Sequence, residues 1–248
     1  MLTHERELPV PNDLEKYFYN NPGHLIHKWL HYFQIYDRHF SKFRQQPITL
    51  IEIGVFHGGS LEMWKNYFGP EARIIGVDLD PRCLTLGDEQ VQVILGDQGD
   101  RNFLRSLRQE VGTADIVIDD GGHLMTQQIG TFDELWPMVN DGGVYLIEDL
   151  HTSYWPEYGG GYRNPDTFIE FAKVLIDQMN AWHAREQVPV TDYTRSLGGM
   201  HIYDSVIAFD KATIGPPSHR MTGVPSFELA EEHQNLLLSH SGESETTN

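Results

Sequence analysis

Two segments of the sequence place pairs of acidic residues directly after apolar runs. Residues 115–123 read Asp-Ile-Val-Ile-Asp-Asp-Gly-Gly-His, and residues 143–149 read Gly-Val-Tyr-Leu-Ile-Glu-Asp. Carboxylates held close together repel one another strongly unless a positive charge lies among them. A hard divalent cation such as Mg²⁺, which prefers oxygen ligands, resolves this repulsion. The pattern therefore predicts a magnesium site.

The predicted metal ligands are Asp120, Glu148 and Asp149. Successive residues of a strand point to opposite faces, but this rule weakens beyond the strand end, so neighbouring acids can reach one ion. Asp119 would then face a cofactor or the next loop. The alternative is that these acids cap helices or pair with a basic side chain such as Arg163.

His123 is the predicted general base. It follows Asp120 by three residues across two glycines. Histidine is the side chain that ordinarily exchanges a proton near neutral pH. A hydroxyl bound to a metal loses its proton more easily, because the cation stabilises the developing alkoxide. We expect His123 and Asp120 to act together in catalysis; a ligand role and a structural role for His123 are the alternatives.

One helix-sized segment, residues 125–139, separates the two acidic segments. A strand, a helix and a second strand form a βαβ unit, whose strands are parallel and commonly adjacent. Both pairs of acids then lie at the carboxyl edge of one sheet. Open α/β sheets bind their ligands at that edge.

A glycine-rich segment follows the first predicted strand, residues 47–54. Glycine lets a backbone approach a nucleotide-type cofactor closely and supplies positive φ angles in a tight turn. We predict Glu52, Gly54, Gly59 and Ser60 as cofactor contacts. The glycine spacing differs from the Gly-x-Gly-x-x-Gly pattern of dinucleotide sites, which disfavours NAD or FAD. A purely geometric turn is the alternative.

Two further strand ends complete a predicted adenosine pocket. Asp78 ends the strand of residues 73–78 and is placed to accept hydrogen bonds from ribose hydroxyls. Asp97 and Gln98 end the strand of residues 91–97, where they could hydrogen-bond an adenine amino group. A helix-capping role for Asp97 is the alternative, and the two roles are compatible.

An amphipathic helix is predicted over residues 24–43, from apolar residues three and four positions apart. Its other flank carries Lys28, His31, Tyr32 and His39. Either these are surface residues, or the helix lies over the cofactor cleft as a lid and the first three contact the cofactor.

A predicted substrate loop spans residues 151–164, which are rich in glycine and aromatic residues. We predict substrate contacts from His151, Tyr154, Trp155 and Tyr158. Aromatic rings beside flexible glycines suit an acceptor that has both apolar faces and hydroxyls, such as a sugar ring. Ordinary packing of the rings is the alternative.

Composition excludes several classes of protein. The net charge is −18, from 36 acidic and 18 basic residues. Such a surface repels phosphate backbones and anionic lipids, so neither nucleic acid nor a membrane is an expected partner, whereas a cationic cofactor is favoured. The polar N-terminus predicts no signal peptide, and the single cysteine, Cys83, fits a reducing cytoplasm.

The expected fold is a Rossmann-like α/β fold with a seven-stranded, mostly parallel sheet and helices on both faces. Its last two strands lie within residues 197–211, after a helix from Pro165 to about His183 and before a short helix at residues 225–238. We expect an N-terminal helical extension or lid at 1–45, a cofactor-binding domain at 46–238 and a disordered tail at 239–248.

The motifs resemble a known family. Residues 51–60 and 76–80 resemble the first two motifs of class I S-adenosylmethionine-dependent methyltransferases. Residues 118–123, together with 145–155, resemble the metal-dependent sugar O-methyltransferases of antibiotic biosynthesis, with the cephalosporin-cluster methyltransferase as a relative. The similarity extends over about residues 24–211.

This resemblance implies transfer of a methyl group from S-adenosylmethionine to a hydroxyl, the expected acceptors being deoxysugars of glycosylated small molecules. It implies that Mg²⁺ binds the three acids and that the histidine is the base. The longer members of the family carry an extra domain that builds their oligomer, and we expect a homo-oligomer here. The alternatives are a phenolic or catechol acceptor, a cofactor-binding accessory protein without turnover, and an NAD oxidoreductase.

Overall fold

The computed structural model of the chain describes residues 10–230, which contain seven strands and seven α-helices. The strands are β1 (Thr49–Ile53), β2 (Arg73–Asp78), β3 (Val91–Leu95), β4 (Ala114–Asp119), β5 (Val139–Ile147), β6 (Leu197–Ile202) and β7 (Ile207–Lys211). The helices are α1 (Asp13–Tyr19), α2 (Tyr32–Phe40), α3 (Gly59–Phe68), α4 (Arg101–Val111), α5 (Met125–Leu135), α6 (Phe168–Met179) and α7 (Asp192–Ser196).

All seven strands form one sheet in the order β3-β2-β1-β4-β5-β7-β6. Strands β1 to β5 pair in parallel, and β7 pairs antiparallel with both β5 and β6. The expected fold is therefore confirmed. In the pairing of β4 with β5, Asp119 lies opposite Ile147, so the acidic residues after both strands meet at one edge.

The helices cover both faces of the sheet, because the strand residues alternate between two apolar clusters. Leu50 belongs to the cluster that contains residues of α1, α2 and α3, and its neighbour Ile51 belongs to the cluster that contains residues of α4, α5 and α6. Near-continuous apolar strands of this kind are typical of a sheet buried on both faces. The strand ends are thereby held on a rigid frame.

The predicted helix over residues 24–43 begins later than its periodicity indicates. Helix α2 starts at Tyr32, and residues 25–29 have no helical structure. Contacts with distant residues hold this segment: the backbone N–H of His24 donates to Glu62, and the Lys28 ammonium donates to Glu148. These contacts override the local helical pattern.

Two other elements differ from expectation. Helix α6 begins at Phe168 rather than at Pro165, because the hydroxyl of Thr167 caps it by accepting from the N–H of Glu170. The chain divides into two units, residues 1–214 and 215–248. In the described part of the second unit, residues 215–230, there is no helix, so the predicted helix at 225–238 is absent from its first six residues. The rest of that helix and the predicted tail at 239–248 lie outside the described residues.

Among residues 10–230, no helix is both long enough and apolar enough to span a membrane.

Candidate active site

A cleft of about 620 Å³ opens at the carboxyl ends of β1 to β4. It brings together most of the predicted cofactor residues, although they are far apart in the sequence. The predicted residues that line it are Lys28, Gly54, Ser60, Asp78, Asp97, Gln98 and Asp120. An extended segment, residues 24–28, forms one wall.

The glycine-rich segment allows close backbone approach at two points. Gly54 has a φ of +96°, and a Cβ atom there would lie 2.0 Å from the carbonyl oxygen of Asp120. A Cβ atom on Gly59 would lie 2.4 Å from the carbonyl oxygen of His24. Larger residues at these positions would push apart the strand ends and the cleft wall.

Asp78 shapes the same loop from the end of β2. Its Oδ2 atom accepts from the backbone N–H groups of Val55 and Phe56, at 2.8 and 3.0 Å, and its Oδ1 atom accepts from the N–H of Asp80. The carboxylate therefore organises the turn after β1 while it faces the cleft. Asp97 similarly accepts from the N–H of Gly99 at 2.7 Å.

Asp119 lies behind Gln98 and is fully buried. Its Oδ1 atom accepts from the Gln98 amide at 2.5 Å, and the Gln98 carbonyl oxygen accepts from the N–H of Gly122 at 3.0 Å. Burial raises the pKa of Asp119 to about 7, although the bond from Gln98 opposes this. Asp119 therefore orients Gln98 from beneath, rather than lining the cleft.

Asp120, His123 and Asp149 form a cluster in which one ligand atom of each lies within 4.8 Å of the others. The Nε2 atom of His123 lies 3.5 Å from Asp149 Oδ2 and 3.9 Å from Asp120 Oδ1. All three side chains are partly exposed at the edge of the sheet. Two carboxylates and an imidazole in this arrangement are suitable ligands for a divalent metal ion.

The backbone at two members of this cluster is left-handed. His123 and Asp149 both have a φ of 55°, a conformation that few residues other than glycine adopt. Such strained positions concentrate at functional sites, where the surrounding structure holds them. Here the hydroxyl of Thr152 donates to the His123 carbonyl at 3.2 Å.

Glu148, the third predicted ligand, is not a member of this group of three, although Lys28 donates to both Glu148 and Asp120. Its side chain is buried, and its oxygen atoms accept from the Tyr36 hydroxyl at 2.6 Å and from the Lys28 ammonium at 2.8 Å. Burial, reinforced by Asp120, raises the pKa of Glu148 well above its usual range, and Lys28 opposes this. Its role as a metal ligand stays a prediction.

Lys28, which lines the cleft, also contacts the acids at the ends of β4 and β5. Its Nζ atom donates to Asp120 and Glu148 and lies 3.9 Å from Oε1 of Glu52. Burial alone would lower the pKa of Lys28, but the three carboxylates together raise it well above its usual value. The Lys28 ammonium therefore places one positive charge among these three carboxylates.

Glu52 is buried at the base of the cleft. Its Oε2 atom accepts from the Ser60 hydroxyl at 2.7 Å, which links β1 to the start of α3. Burial raises the pKa of Glu52 to about 7, against the lowering effect of Lys28. Neither Glu52 nor Gly59 is among the lining residues, so both support the cleft from behind.

His31 and Tyr32 do not line the cleft, in contrast to the expectation that they contact the cofactor. The Tyr32 hydroxyl donates to Oδ1 of Asp149 at 2.6 Å, and a ring nitrogen of His31 lies 3.1 Å from the Asp204 carbonyl oxygen. The physical reason is that α2 begins at Tyr32, which places both residues beside β5 rather than above β1. The sequence does not predict that the hydroxyls of Tyr32 and Tyr36 donate to Asp149 and Glu148. The only signal is the spacing of the two tyrosines, which places them on one face of a helix.

The predicted substrate residues lie around Asp149. The Nδ1 atom of His151 lies 4.0 Å from Asp149 Oδ1 and 2.5 Å from the Ser205 hydroxyl. The Trp155 ring lies 4.6 Å from the His151 ring and 5.9 Å from the Tyr158 ring. Tyr154 and Trp155 are half-exposed.

A second cavity of about 360 Å³ adjoins this group of rings. Its walls include His151 and Tyr154 together with apolar residues of α6 and the β6–β7 turn, among them Ile169, Ile176 and Ile202. The predicted substrate loop therefore lies beside both the cluster of Asp120, His123 and Asp149 and an apolar cavity.

Comparisons with known proteins agree with this geometry. Residues 51–150 match the family described as "Methyltransferase domain". The chain is 38% identical over 203 residues to the 8-demethyl-8-(2-methoxy-alpha-L-rhamnosyl)-tetracenomycin-C 3'-O-methyltransferase of Streptomyces olivaceus, covering 76% of this chain and 52% of the relative. It is 34% identical over 232 residues to the mycinamicin VI 2''-O-methyltransferase of Micromonospora griseorubida, covering 86% of this chain and 55% of the relative.

The chain therefore spans about half the length of the curated relatives it matches. Among solved structures it resembles the MycE methyltransferase from the mycinamycin biosynthetic pathway, in complex with Mg and SAH, with a TM-score of 0.73 and 31% identity. That match covers 93% of this chain and 60% of the MycE chain. A MycE complex with Mg, SAH and mycinamycin VI matches with a TM-score of 0.67 and 33% identity, covering 81% and 54%. Fold, motifs and relatives together identify a class I methyltransferase domain that is similar to sugar O-methyltransferases.

Proposed function

We propose that this chain transfers a methyl group from S-adenosylmethionine to a hydroxyl of a sugar on a glycosylated small molecule, with the help of Mg²⁺. The observation that carries the proposal is the position of His123, within 3.9 Å of two carboxylates at the carboxyl edge of the sheet. The sugar O-methyltransferases of similar sequence and the Mg and SAH complexes of MycE support it.

The residues present fit both groups. The cleft combines glycines at the close approach after β1 with polar side chains at the ends of β2 and β3, as an adenosine site requires. Asp120 and Asp149 would hold Mg²⁺, with Glu148 as the third predicted ligand. When bound, the metal ion would stabilise the alkoxide form of the acceptor hydroxyl, and S-adenosylmethionine would supply the methyl group on a sulfonium.

The side chains of the chain prepare the acceptor oxygen for attack. His123 accepts the proton of the acceptor hydroxyl at its Nε2 atom, the ring nitrogen that faces Asp149 and Asp120. Tyr32 fixes the orientation of Asp149. Alignment of the acceptor oxygen with the methyl carbon converts a bimolecular step into an effectively unimolecular one.

The aromatic loop supports the choice of a sugar-bearing acceptor. His151, Trp155 and Tyr158 offer ring faces and hydrogen-bonding atoms beside Asp149, as a sugar ring requires. The adjoining cavity has mainly apolar walls, which suit the non-sugar part of such an acceptor.

The test is methyl transfer by purified protein to a panel of glycosylated and catechol acceptors, with Mg²⁺ and with EDTA. We expect turnover of a glycosylated acceptor, loss of turnover in EDTA, and at least about a hundredfold lower kcat for H123Q. The matched control is H183Q, an exposed histidine that belongs to neither cluster of metal-ligating side chains. Retained turnover in H123Q or in EDTA would overturn the mechanism. Turnover of catechols alone would overturn the proposal that the acceptor is a sugar hydroxyl.

Calorimetry separates this function from the remaining alternatives. We expect binding of S-adenosylhomocysteine and none of NAD. The reverse result would indicate an oxidoreductase, and tight S-adenosylhomocysteine binding with no product from any acceptor would indicate an accessory protein.

We further infer a cytoplasmic homo-oligomer that binds no nucleic acid, in which residues 1–45 act as an extension of the cofactor-binding domain. The single cysteine supports the cytoplasmic location, and the net charge of −18 supports the absence of a nucleic-acid partner. Light scattering after size exclusion checks the oligomeric state, and a monomer would contradict it.

A further inference from the structure

A second cluster of metal-ligating side chains lies outside the cleft. It consists of His39 of α2, His201 of β6 and Asp210 of β7, and one ligand atom of each lies within 4.8 Å of the others. The methyl-transfer proposal uses none of these residues. Two imidazoles and one carboxylate differ chemically from the oxygen-rich cluster at the cleft.

Strand register places two of the three side chains together. In the antiparallel pairing of β6 with β7, Gly199 lies opposite Asp210. His201 follows Gly199 by two residues and therefore shares its face of the sheet. Accordingly, the Nε2 atom of His201 lies 2.8 Å from Asp210 Oδ2. The third side chain, His39, packs on this face from α2, with its ring 4.7 Å from that of His201.

The position beside the pair is a glycine. A Cβ atom on Gly199 would lie only 3.3 Å from Asp210 Oδ2 and 3.5 Å from His201 Nε2, so a side chain there would crowd both ligand atoms. The Tyr203 hydroxyl lies 2.8 Å from a ring nitrogen of His39 and fixes the orientation of that ring. Histidine ligands of metals typically have one nitrogen held in this way by an oxygen atom.

His39 is the buried member of the cluster, with 6% of its surface exposed. A metal ion bound by this side chain would therefore lie at the junction of α2 with β6 and β7.

We propose that His39, His201 and Asp210 bind a divalent transition-metal ion of the Zn²⁺ class. Two imidazoles and a carboxylate are a ligand set that zinc accepts, with a fourth position left for water. Mg²⁺ prefers oxygen ligands, so the two clusters should take different ions. This inference does not rest on the proposed methyl transfer.

The test is calorimetric titration of the full chain with Zn²⁺, after EDTA treatment and dialysis. It uses the D149N variant, so that the cluster at the cleft lacks one ligand, and includes excess Mg²⁺. We expect D149N to bind one equivalent of Zn²⁺, and the double variants D149N/H201Q and D149N/D210N to bind at least about tenfold more weakly. His201 and Asp210 are partly exposed, so these variants should fold.

D149N/H183Q is the matched control and should bind Zn²⁺ as D149N does. Because a ligand of the folded state raises the melting temperature, Zn²⁺ should also raise Tm in D149N but not in D149N/H201Q. The same Zn²⁺ affinity in D149N and D149N/H201Q, or no binding by D149N, would overturn the proposal.

Discussion

The Nζ atom of Lys28 lies 2.8 Å from the Oε2 atom of Glu148, in the interior of the carboxyl edge of the sheet. The Lys28 side chain is only 3% exposed, and it also donates to Asp120. A residue of the N-terminal segment therefore balances the charge of residues at the ends of β4 and β5. This contact joins the cleft wall to the acidic cluster.

Replacement of Lys28 by methionine should destabilise the fold. Removal of one partner of a buried ion pair leaves uncompensated charge, at a cost of about 3–5 kcal/mol in the free energy of unfolding. Urea denaturation in EDTA measures this loss, and added Mg²⁺ should restore more stability to K28M than to the wild type. K65M is the control, because Lys65 pairs with Asp88 at the surface and its loss should cost less than about 1 kcal/mol. Equal stability of K28M and K65M would contradict the prediction.

Replacement of the two buried tyrosines of α2 tests which acids are metal ligands. Tyr32 donates to Asp149, and Tyr36 donates to Glu148. Loss of a hydrogen bond that orients a ligand typically weakens metal binding about tenfold or more. We expect calorimetry to show weaker Mg²⁺ binding for both Y32F and Y36F, and unchanged binding in Y36F would remove Glu148 from the predicted ligands. Weakening in Y36F alone would assign the ligand role to Glu148 rather than to Asp149.

Gly54 should tolerate no side chain. An alanine there combines a φ of +96° with a Cβ atom 2.0 Å from the Asp120 carbonyl oxygen. Gly112 also has a positive φ, +87°, but a Cβ atom there would have no neighbour within 4 Å, so G112A isolates the backbone cost. That cost is about 1–2 kcal/mol. Urea denaturation should show a larger loss for G54A, and calorimetry should show loss of S-adenosylhomocysteine binding for G54A alone. Equal losses of stability in G54A and G112A would contradict the prediction, because they would show that the ends of β1 and β4 can move apart to admit the Cβ atom.

Glu52 should make the fold less stable as the pH rises. Its pKa in the fold, about 7, lies above its ordinary value of 4.5. The folded chain thus keeps a proton that the unfolded chain has already lost, so the free energy of unfolding falls between these two pH values. The fall amounts to about 3 kcal/mol, at about 1.4 kcal/mol per pKa unit.

The E52Q variant cannot lose this proton, so its stability should fall less between about pH 5 and pH 8. Urea denaturation at the two pH values gives the comparison. The control is E89Q, at an exposed acidic residue that does not line the cleft, which should follow the wild type. A parallel fall in the wild type and E52Q would contradict the raised pKa.

Much of the fold follows from local patterns in the sequence. Apolar runs that end in acids predict strands and their ends, and the register of Asp119 opposite Ile147 confirms that the acidic pairs meet at one edge. The helix cap at Asp100 is a similarly local feature, in which its side chain accepts from the N–H of Asn102. These features depend on neighbours within a few positions.

The contacts of Lys28 could not be predicted in this way. Its partners Asp120 and Glu148 lie 92 and 120 positions away in the sequence. Only the packing of the N-terminal segment against the strand ends brings them together, and that packing also replaces the first half of the predicted helix. His39 shows the same limit, since its helical position suggested a surface residue whereas the sheet buries it.

The left-handed backbone at His123 and Asp149 restricts how this site can be re-engineered. Both residues have a φ of 55°, which β-branched residues such as valine, isoleucine and threonine adopt only with strain. A mutant library aimed at new acceptors would therefore waste much of its diversity at these two positions, where asparagine is the replacement most compatible with the backbone. Variation is better directed to Tyr154 and Trp155, whose side chains face solvent in part and whose backbone is unstrained.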